Sequence, residues 1–393
     1  MKITGLRVTP VAVPDPPLRN SWGVHAPYML RNIIELDTDE GITGLSEAPG
    51  GAAQLSELQG AANAIIGEDP LYLERLRLKL RDRTRAFAAI EVACWDAIGR
   101  WLNRPVYDLL GGKVRQQVPF ASYLFFKYQG DNDPWGEVND PQSMVRLARQ
   151  FRDTYGFKTI KVKGGVLPPD EEIETMRLLR QAFPGDRLRL DPNAVWSVET
   201  SIRVCTALAD INMEYMEDPT WGIHGMAAVA RHTNIPLSTN MCVTTFDHFG
   251  PAIESKAVQV ILCDHHYWEG FSGCKRLAAV CESFHLGLSM HSNNHLGISM
   301  AAMVHLAAST PQLIYACDTH YPWQQEDVIK GGKLQFKDGM MSPPDGPGLG
   351  VEIDHDRLTA LNENFRRLGS LSRDDTAEMQ KRDPFYLPLR PRW

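Results

Sequence analysis

Apolar and polar positions along this chain change their rhythm twice. Over the first fifty residues they alternate. Ile3–Val13 and Arg31–Asp37 read as strands, separated by a stretch containing Pro, Asn and Gly and closed by Gly-rich turns. Two-residue alternation bounded by such turns predicts a β-meander. Residues 53–112 then take on helical spacing. Ala86–Leu102 (AFAAIEVACWDAIGRWL) repeats its apolar positions every three to four residues and stops before Pro105, and Gly111-Gly112 breaks the chain.

From about residue 117 short apolar segments alternate with helix-like ones. The apolar segments end near Tyr123, Lys163, Asp191, Glu217, Asn240, Asp264, His291 and Asp318, and from Lys163 onward the ends are 28, 26, 23, 24, 27 and 27 residues apart. A strand–helix period of about 25 residues is the signature of βα units around a parallel sheet, and eight of them predict a TIM-type barrel. After Asp318 the chain is rich in turns (SPPDGPGLG, 342–350), with one further helix expected over Asp356–Leu368 and a tail rich in Pro and Arg.

Strand side chains alternate faces. If Ile160 and Val162 face covering helices, Lys161 and Lys163 face the barrel interior, which should otherwise be packed with Val, Ile and Leu. Lysines there are costly unless they lie at the open mouth. By the same reading Asp191 faces inward at its strand end, and Glu217, Asn240, Asp264 and His291 follow on consecutive strands. Helix capping or solvation explains one such residue, but a run of six points to the carboxyl-end face where barrel enzymes build their sites. Asp191, Glu217 and Asn240 offer two carboxylates and a carbonyl, a donor set for a hard cation, Mg²⁺ foremost. His265-His266 cannot share one face of an extended strand, and His291 and His295 could meet only on a helix, so a histidine metal site is the weaker reading. Lys163 is a candidate base beside the cation Lys161, and Asp264 could orient the His291 imidazole.

Composition narrows the class. Of 393 residues 43% are hydrophobic and 23% charged, with a net charge of −7, so the basic footprint of a nucleic-acid binder is missing. No apolar run reaches membrane-spanning length and no apolar signal core opens the chain, so no membrane association is expected. Seven scattered cysteines without a C-x-x-C fit a reduced cytoplasmic protein. No G-x-G-x-x-G or Walker sequence follows a strand, which argues against a nucleotide enzyme.

These segments resemble the enolase superfamily, most closely its glucarate dehydratase group. The resemblance is carried by IKVKGG (160–165), LRLDPNAVWS (188–197), EYMEDP (214–219), STNM (238–241), CDHHYW (263–268), MHSNNHLGIS (290–299) and DTHYPWQ (318–324), with GVHAPYMLRN (23–32), PGLGVEID (347–354) and SRDD (372–375) toward the ends. Sites of this superfamily are known to pair a Lys or His base with Mg²⁺. The resemblance implies an α/β fold, a modified TIM (β/α) barrel over about 116–340 capped by an α+β domain formed from 1–115 and 341–393. It implies Mg²⁺ on Asp191, Glu217 and Asn240, Lys163 as base with Lys161 near the bound carboxylate, and a His291–Asp264 dyad on the opposite face, with Asn293 beside it. Tyr123, Asn193, Ser292 and His320 are the implied substrate contacts, and His25 and Arg373 those to the far carboxylate of a diacid. The activity implied is dehydration of an acid sugar, D-glucarate or L-idarate foremost, by a cytoplasmic homo-oligomer. Other mono- or diacid sugars, or a non-catalytic relative binding sugar acids, are the alternatives.

Overall fold

The protein is described from a computed structural model covering residues 1–131, 133–369 and 372–393. Strands β1 (Ile3–Pro14), β2 (Tyr28–Thr38) and β3 (Thr43–Pro49) form the antiparallel meander, with Val8 opposite Ile34 and Glu35 opposite Leu45. The third strand follows β2 so closely, through Gly41, that the sequence reading left it within a turn. Successive residues of β2 serve two cores. Ile33 belongs to the core shared with the barrel, whereas Ile34 and Leu36 pack with Leu58, Ile65 and Ile90 of the helices Ala52–Ile65 and Thr84–Leu102. The latter helix starts two residues before its expected position and ends at Asn103, whose φ of 54° leaves the helical region. Helix His355–Leu368 returns to β1, where Asn362 Nδ2 donates to the Pro10 carbonyl at 2.6 Å. Both ends of the chain therefore build the cap.

Seven parallel strands form the barrel wall in sequential order: β4 (Ser122–Phe125), β5 (Thr159–Lys163), β6 (Arg187–Asp191), β7 (Tyr215–Glu217), β8 (Leu237–Thr239), β9 (Val260–Cys263) and β10 (Gly287–Met290). The eighth segment is not a regular strand. Leu313 and Ile314 donate their N–H groups to the nearby Thr310 and Gln312 carbonyls, and closure rests on single bridges, Leu288 to Leu313 and Phe120 to Cys317. The result is a modified (β/α) barrel. No helix among the described residues is long and apolar enough to cross a membrane.

Carboxylates of the cap dock it onto the barrel. Glu91, fully buried on helix Thr84–Leu102, accepts the N–H groups of Phe271 and Ser272 at 2.8 and 3.0 Å, at the start of helix Gly270–Ser283. Glu47 on β3 accepts from Leu296 and Ser299, both at 2.9 Å, at the start of helix Gly297–Ser309, and is paired with Arg31 at 2.6 Å. The first turn of a helix has unpaired N–H donors and a positive dipole end, so buried carboxylates are stabilised there. Both helices begin at the carboxyl ends of their strands, so these contacts seat the cap over that face.

The barrel interior departs from the expected Val, Ile and Leu packing. Lys161 and Arg189 lie inside with no exposed surface. Lys161 Nζ is 2.5 Å from Asp318 Oδ2, 2.6 Å from Glu217 Oε2 and 3.6 Å from Asp191 Oδ2. Arg189 pairs with Glu214 at 2.6 Å and Asp318 at 3.2 Å, over the Tyr215 ring. Lys161 is thus compensated by carboxylates and not, as expected, by the open mouth. Burial lowers its proton affinity, but Asp318, Glu217 and Asp191 together outweigh this and hold it above the usual lysine range. Asp318→Ala leaves both cations short of their shared counter-ion and should cost about 3–5 kcal/mol. Urea denaturation measures this, and a loss below about 1 kcal/mol would contradict the assigned role.

Candidate active site

The strand ends bring the expected residues to one place. Asp191 and Glu217 close β6 and β7, and Asn240, Asp264 and His291 each follow directly on β8, β9 and β10. Above them lies a cavity of about 880 Å³, whose lining includes His25, Tyr123, Lys163, Asn193, Asn240, Asp264, His291, Ser292, Asn293, His320 and Arg373. Lys161 is not among the lining residues. Neither are Asp191 and Glu217, and the carboxylates of Asp318, Glu217 and Asp191 hold the Lys161 ammonium group inside the barrel.

Lys163 sits at the rim, with its side chain 11% exposed. Its Nζ donates to Asp191 Oδ2 at 2.7 Å and Asn193 Oδ1 at 2.9 Å. Its nearest charge is this carboxylate, not the neighbouring lysine assumed from sequence. A neutral amine has two N–H bonds and one lone pair, and these two contacts would use both N–H bonds. Asn193 is itself fixed by donating to Ser21 Oγ at 2.6 Å, and it and Ala194 both adopt φ of 59°. Glycine frees the preceding loop. Gly165 has φ of 70°, and a Cβ there would lie 2.3 Å from the Pro192 carbonyl oxygen. The buried Glu172 carboxylate accepts the N–H groups of Gly165, Val166 and Leu167 at 2.9–3.0 Å.

On another wall His291 Nδ1 is 2.9 Å from Asp264 Oδ2, which leaves Nε2 for the cavity. The other Asp264 oxygen holds His266 Nδ1 at 2.8 Å. Burial opposes ionisation of Asp264, but His266 and His291 together keep its proton affinity well below the ordinary range. Asn293 Nδ2 donates to the Tyr267 hydroxyl at 3.0 Å, and Ser292 Oγ donates to the Asn293 carbonyl at 2.6 Å. Tyr123, an expected substrate contact, spends its hydroxyl on Asp191 at 2.7 Å. His320 packs against the Tyr123 and Phe125 rings at 4.8 and 5.0 Å.

Two clusters are candidate metal centres. Asp191, Glu217 and Asn240 come from consecutive strands, with Asn240 Nδ2 3.2 Å from Glu217 Oε1. Burial, and then the Asp191 charge, push the Glu217 carboxyl well above its usual range. Glu217 Oε2 faces Lys161 without hydrogen-bond geometry. The raised Glu217 carboxyl, with its Oε2 unbonded, is what a hard divalent cation would relieve, and with the Asp191 carboxylate and the Asn240 amide it offers oxygen donors of the kind such a cation takes, so these residues fit one. The second cluster overturns the expected separation of the histidines. Residues 264–268 turn, the His265 and His266 rings lie 4.0 Å apart, and Asp264, His266 and His295 present ligand atoms within 4.8 Å of one another. Here Arg31 Nη2 stands 3.2 Å from His266 Nε2, a positive charge that opposes a cation.

Behind His25, Asn294 and Arg373, which line the cavity, one residue was missed from sequence. Asp15, with a fully buried side chain, receives His25 Nδ1 at 3.0 Å and Asn294 Nδ2 at 2.9 Å on one oxygen, with Arg373 Nη1 at 3.6 Å. It lies between two prolines in the stretch read only as separating two strands. Arg373, expected to meet a far carboxylate, instead donates from Nε and Nη2 to Asp375 at 2.5 and 2.6 Å. Asp318 and Arg189 were also missed as a pair. Inward-facing polarity at every second position of β6 was the signal for Arg189.

Comparisons with known proteins identify the family. Residues 143–357 match the family described as enolase C-terminal domain-like, and residues 3–111 match the mandelate racemase / muconate lactonizing enzyme N-terminal domain. The chain is 44% identical over 429 residues to a probable glucarate dehydratase of Streptomyces coelicolor, covering 100% of this chain and 99% of that protein. A solved enolase of Mycobacterium smegmatis complexed with tartrate superposes with a TM-score of 0.97 at 50% identity, covering 100% of this chain and 98% of the other. An enolase of Thermobispora bispora complexed with magnesium and formate does so at 48% identity, TM-score 0.97, with 100% of both chains covered. The chain belongs to the enolase superfamily and is a glucarate-dehydratase-like member of it.

Three buried imidazoles dictate a pH response. Burial above all, then neighbouring cations, lower the proton affinity of His265, His295 and His320 well below the ordinary histidine range. Their unfolded forms take up protons below about pH 6.5 while the folded forms resist, so stability falls as pH drops through that value. Each group fully displaced contributes a slope of about 1.4 kcal/mol per pH unit. Burial pushes the Glu172 and Asp218 carboxyls up to about 7, and these act in the opposite sense over the same range. Thermal unfolding between about pH 7.5 and 5 should therefore lower wild type relative to His320→Phe, and an unchanged difference between the two would contradict the histidine contribution.

Proposed function

We propose that this chain, as a glucarate-dehydratase-like hydro-lyase, is a Mg²⁺-dependent dehydratase of acid sugars, with D-glucarate the foremost substrate and L-idarate its partner. The observation carrying this reading is the placement of Lys163 and the His291–Asp264 dyad on separate walls of one cavity, beside Asp191, Glu217 and Asn240. The relatives matched along the whole chain include a probable glucarate dehydratase and an enolase complexed with magnesium.

Asp191, Glu217 and Asn240 would hold Mg²⁺. When bound, the cation supplies Lewis-acid stabilisation of the charge that develops on a substrate carboxylate losing its α-proton. Lys163 Nζ, held by Asp191 and Asn193, takes the proton α to that carboxylate. His291 Nε2, oriented by Asp264 on Nδ1, delivers a proton to the departing β-hydroxyl, which leaves as water. The enol so formed becomes a keto-deoxy acid. For the epimeric substrate His291 Nε2 is the base. Lys161 and Tyr123 act on Asp191 rather than on substrate, as positioning residues. Asn293, Ser292, His320 and His25 line the space for the hydroxyls and the far end of the chain.

A positioned base contributes roughly 10²–10⁴-fold. Keto-acid formation from D-glucarate with Mg²⁺ should fall by about that factor in Lys163→Ala. His291→Ala should lose turnover of L-idarate and its α-proton exchange in D₂O. Wild-type turnover in both variants would refute the mechanism. A panel of mono- and diacid sugars checks the substrate, and the reading fails if the best one is a mono-acid.

A further inference from the structure

Segment 386–393 forms neither helix nor strand, yet its polar groups meet the loops that carry the candidate base. The Arg392 N–H donates to the Val195 carbonyl at 2.7 Å, and the Trp393 carbonyl accepts the Ser197 N–H at 2.6 Å, so the segment is tied to the loop after β6. Arg392 Nη1 faces the Gly165 carbonyl at 3.5 Å, just past Lys163. Its Nη2 donates to the Ser21 carbonyl at 3.0 Å, and the Tyr386 hydroxyl donates to the same oxygen at 3.2 Å. Arg390 Nη2 donates to Ser21 Oγ at 3.3 Å, with its guanidinium over the Trp22 ring, 3.5 Å from the centroid. Ser21, with no exposed surface, is the meeting point. Its Oγ also accepts from Asn193 Nδ2 at 2.6 Å, and Asn193 Oδ1 in turn accepts from Lys163 Nζ at 2.9 Å.

We propose that segment 386–393 is a clasp that positions the Lys163 amine through Ser21 and Asn193, with Arg390 and Arg392 as positioning residues. This rests on the reading of Lys163 as a base. Two physical points carry it. An amide has a donor end and an acceptor end. Ser21 Oγ takes the donor end of Asn193, so the acceptor end faces Lys163 and leaves the lone pair of a neutral amine free. A flipped amide would donate into that lone pair, the one that must take the proton. The second point is the backbone. Asn193 and Ala194 both stand at φ of 59°, a conformation that persists where the surroundings over-determine it. The bonds from the clasp to Val195 and Ser197 supply part of that constraint. Neither Arg390 nor Arg392 is among the residues lining the cavity, so an effect on turnover must pass through these loops.

The test measures, with Mg²⁺ present, dehydration of D-glucarate, where Lys163 is the base, and of L-idarate, where His291 is. The variants are Ser21→Ala, Arg390→Met, Arg392→Met and Asn193→Ala, all outside helices and strands. Small misplacement of a reacting group costs up to about 10²-fold, so kcat for D-glucarate should fall about tenfold in the three clasp variants, with its KM and the L-idarate rate within about threefold of wild type. Arg390→Lys and Arg392→Lys, which keep a donor, should recover part of the loss. Adding Arg390→Met to Asn193→Ala should cost little more than Asn193→Ala alone, because both act through one link. Trace acetylation of Lys163 by acetic anhydride at one pH, read by peptide mass spectrometry, needs no substrate and should rise severalfold in the clasp variants. The proposal is overturned if both acids slow equally, if neither slows, or if the two losses add in full. Unchanged acetylation overturns it in every case. If wild type turns over neither acid, the dehydratase reading fails, and the clasp stands only if acetylation rises as stated.

Discussion

Lys161 has no exposed surface, and carboxylates from three separate segments, Asp191, Glu217 and Asp318, meet its ammonium group inside the barrel. An unpaired charge there would be intolerable, and three carboxylates without it would repel one another. Each side of this cluster makes the other possible. Asp318 passes the constraint on to Arg189 and Glu214, and Asp191 passes it outward to Lys163 and Tyr123. The candidate base, the candidate metal ligands and the ionic core of the barrel are thus parts of one network.

The cap is governed by the same rule. Glu91 and Glu47 are buried acids whose charge is satisfied by the first turns of two barrel helices. Because those helices start at the catalytic end of their strands, the cap can sit only over that end. The loop bearing His25 then closes the far side of the cavity, where Asp15 gathers contacts from the N-terminal segment, the loop after β10 and Arg373. Separate pieces of chain share one small space because a few buried carboxylates lack partners anywhere else.

Much of this was legible in the sequence. A repeat of about 25 residues announced the βα units, and the two-residue alternation within a strand decided which side of β5 and β6 faced inward. The ends of β5, β6 and β7 fall on Lys163, Asp191 and Glu217 as read. The same rule was available for Arg189, but an interior assumed apolar hid it. The His265-His266 pair misled because a turn, not a strand, follows β9, and turns impose no alternation of faces. The eighth segment was read as a strand from its spacing, whereas local turn hydrogen bonds occupy donors that a ladder would need.

Chemical identity and order along each strand are local properties, so the sequence alone determined the fold class and singled out the candidates for metal ligands and for an acid–base pair. Which charges are already matched depends on distances between residues far apart in the chain, and only the tertiary structure decided it. Arg373 and Arg85 are both arginines near acidic residues in sequence. Folding neutralises the first with Asp375 and leaves the second over an aromatic ring. Electrostatic energy follows separation and burial in space, not spacing along the chain.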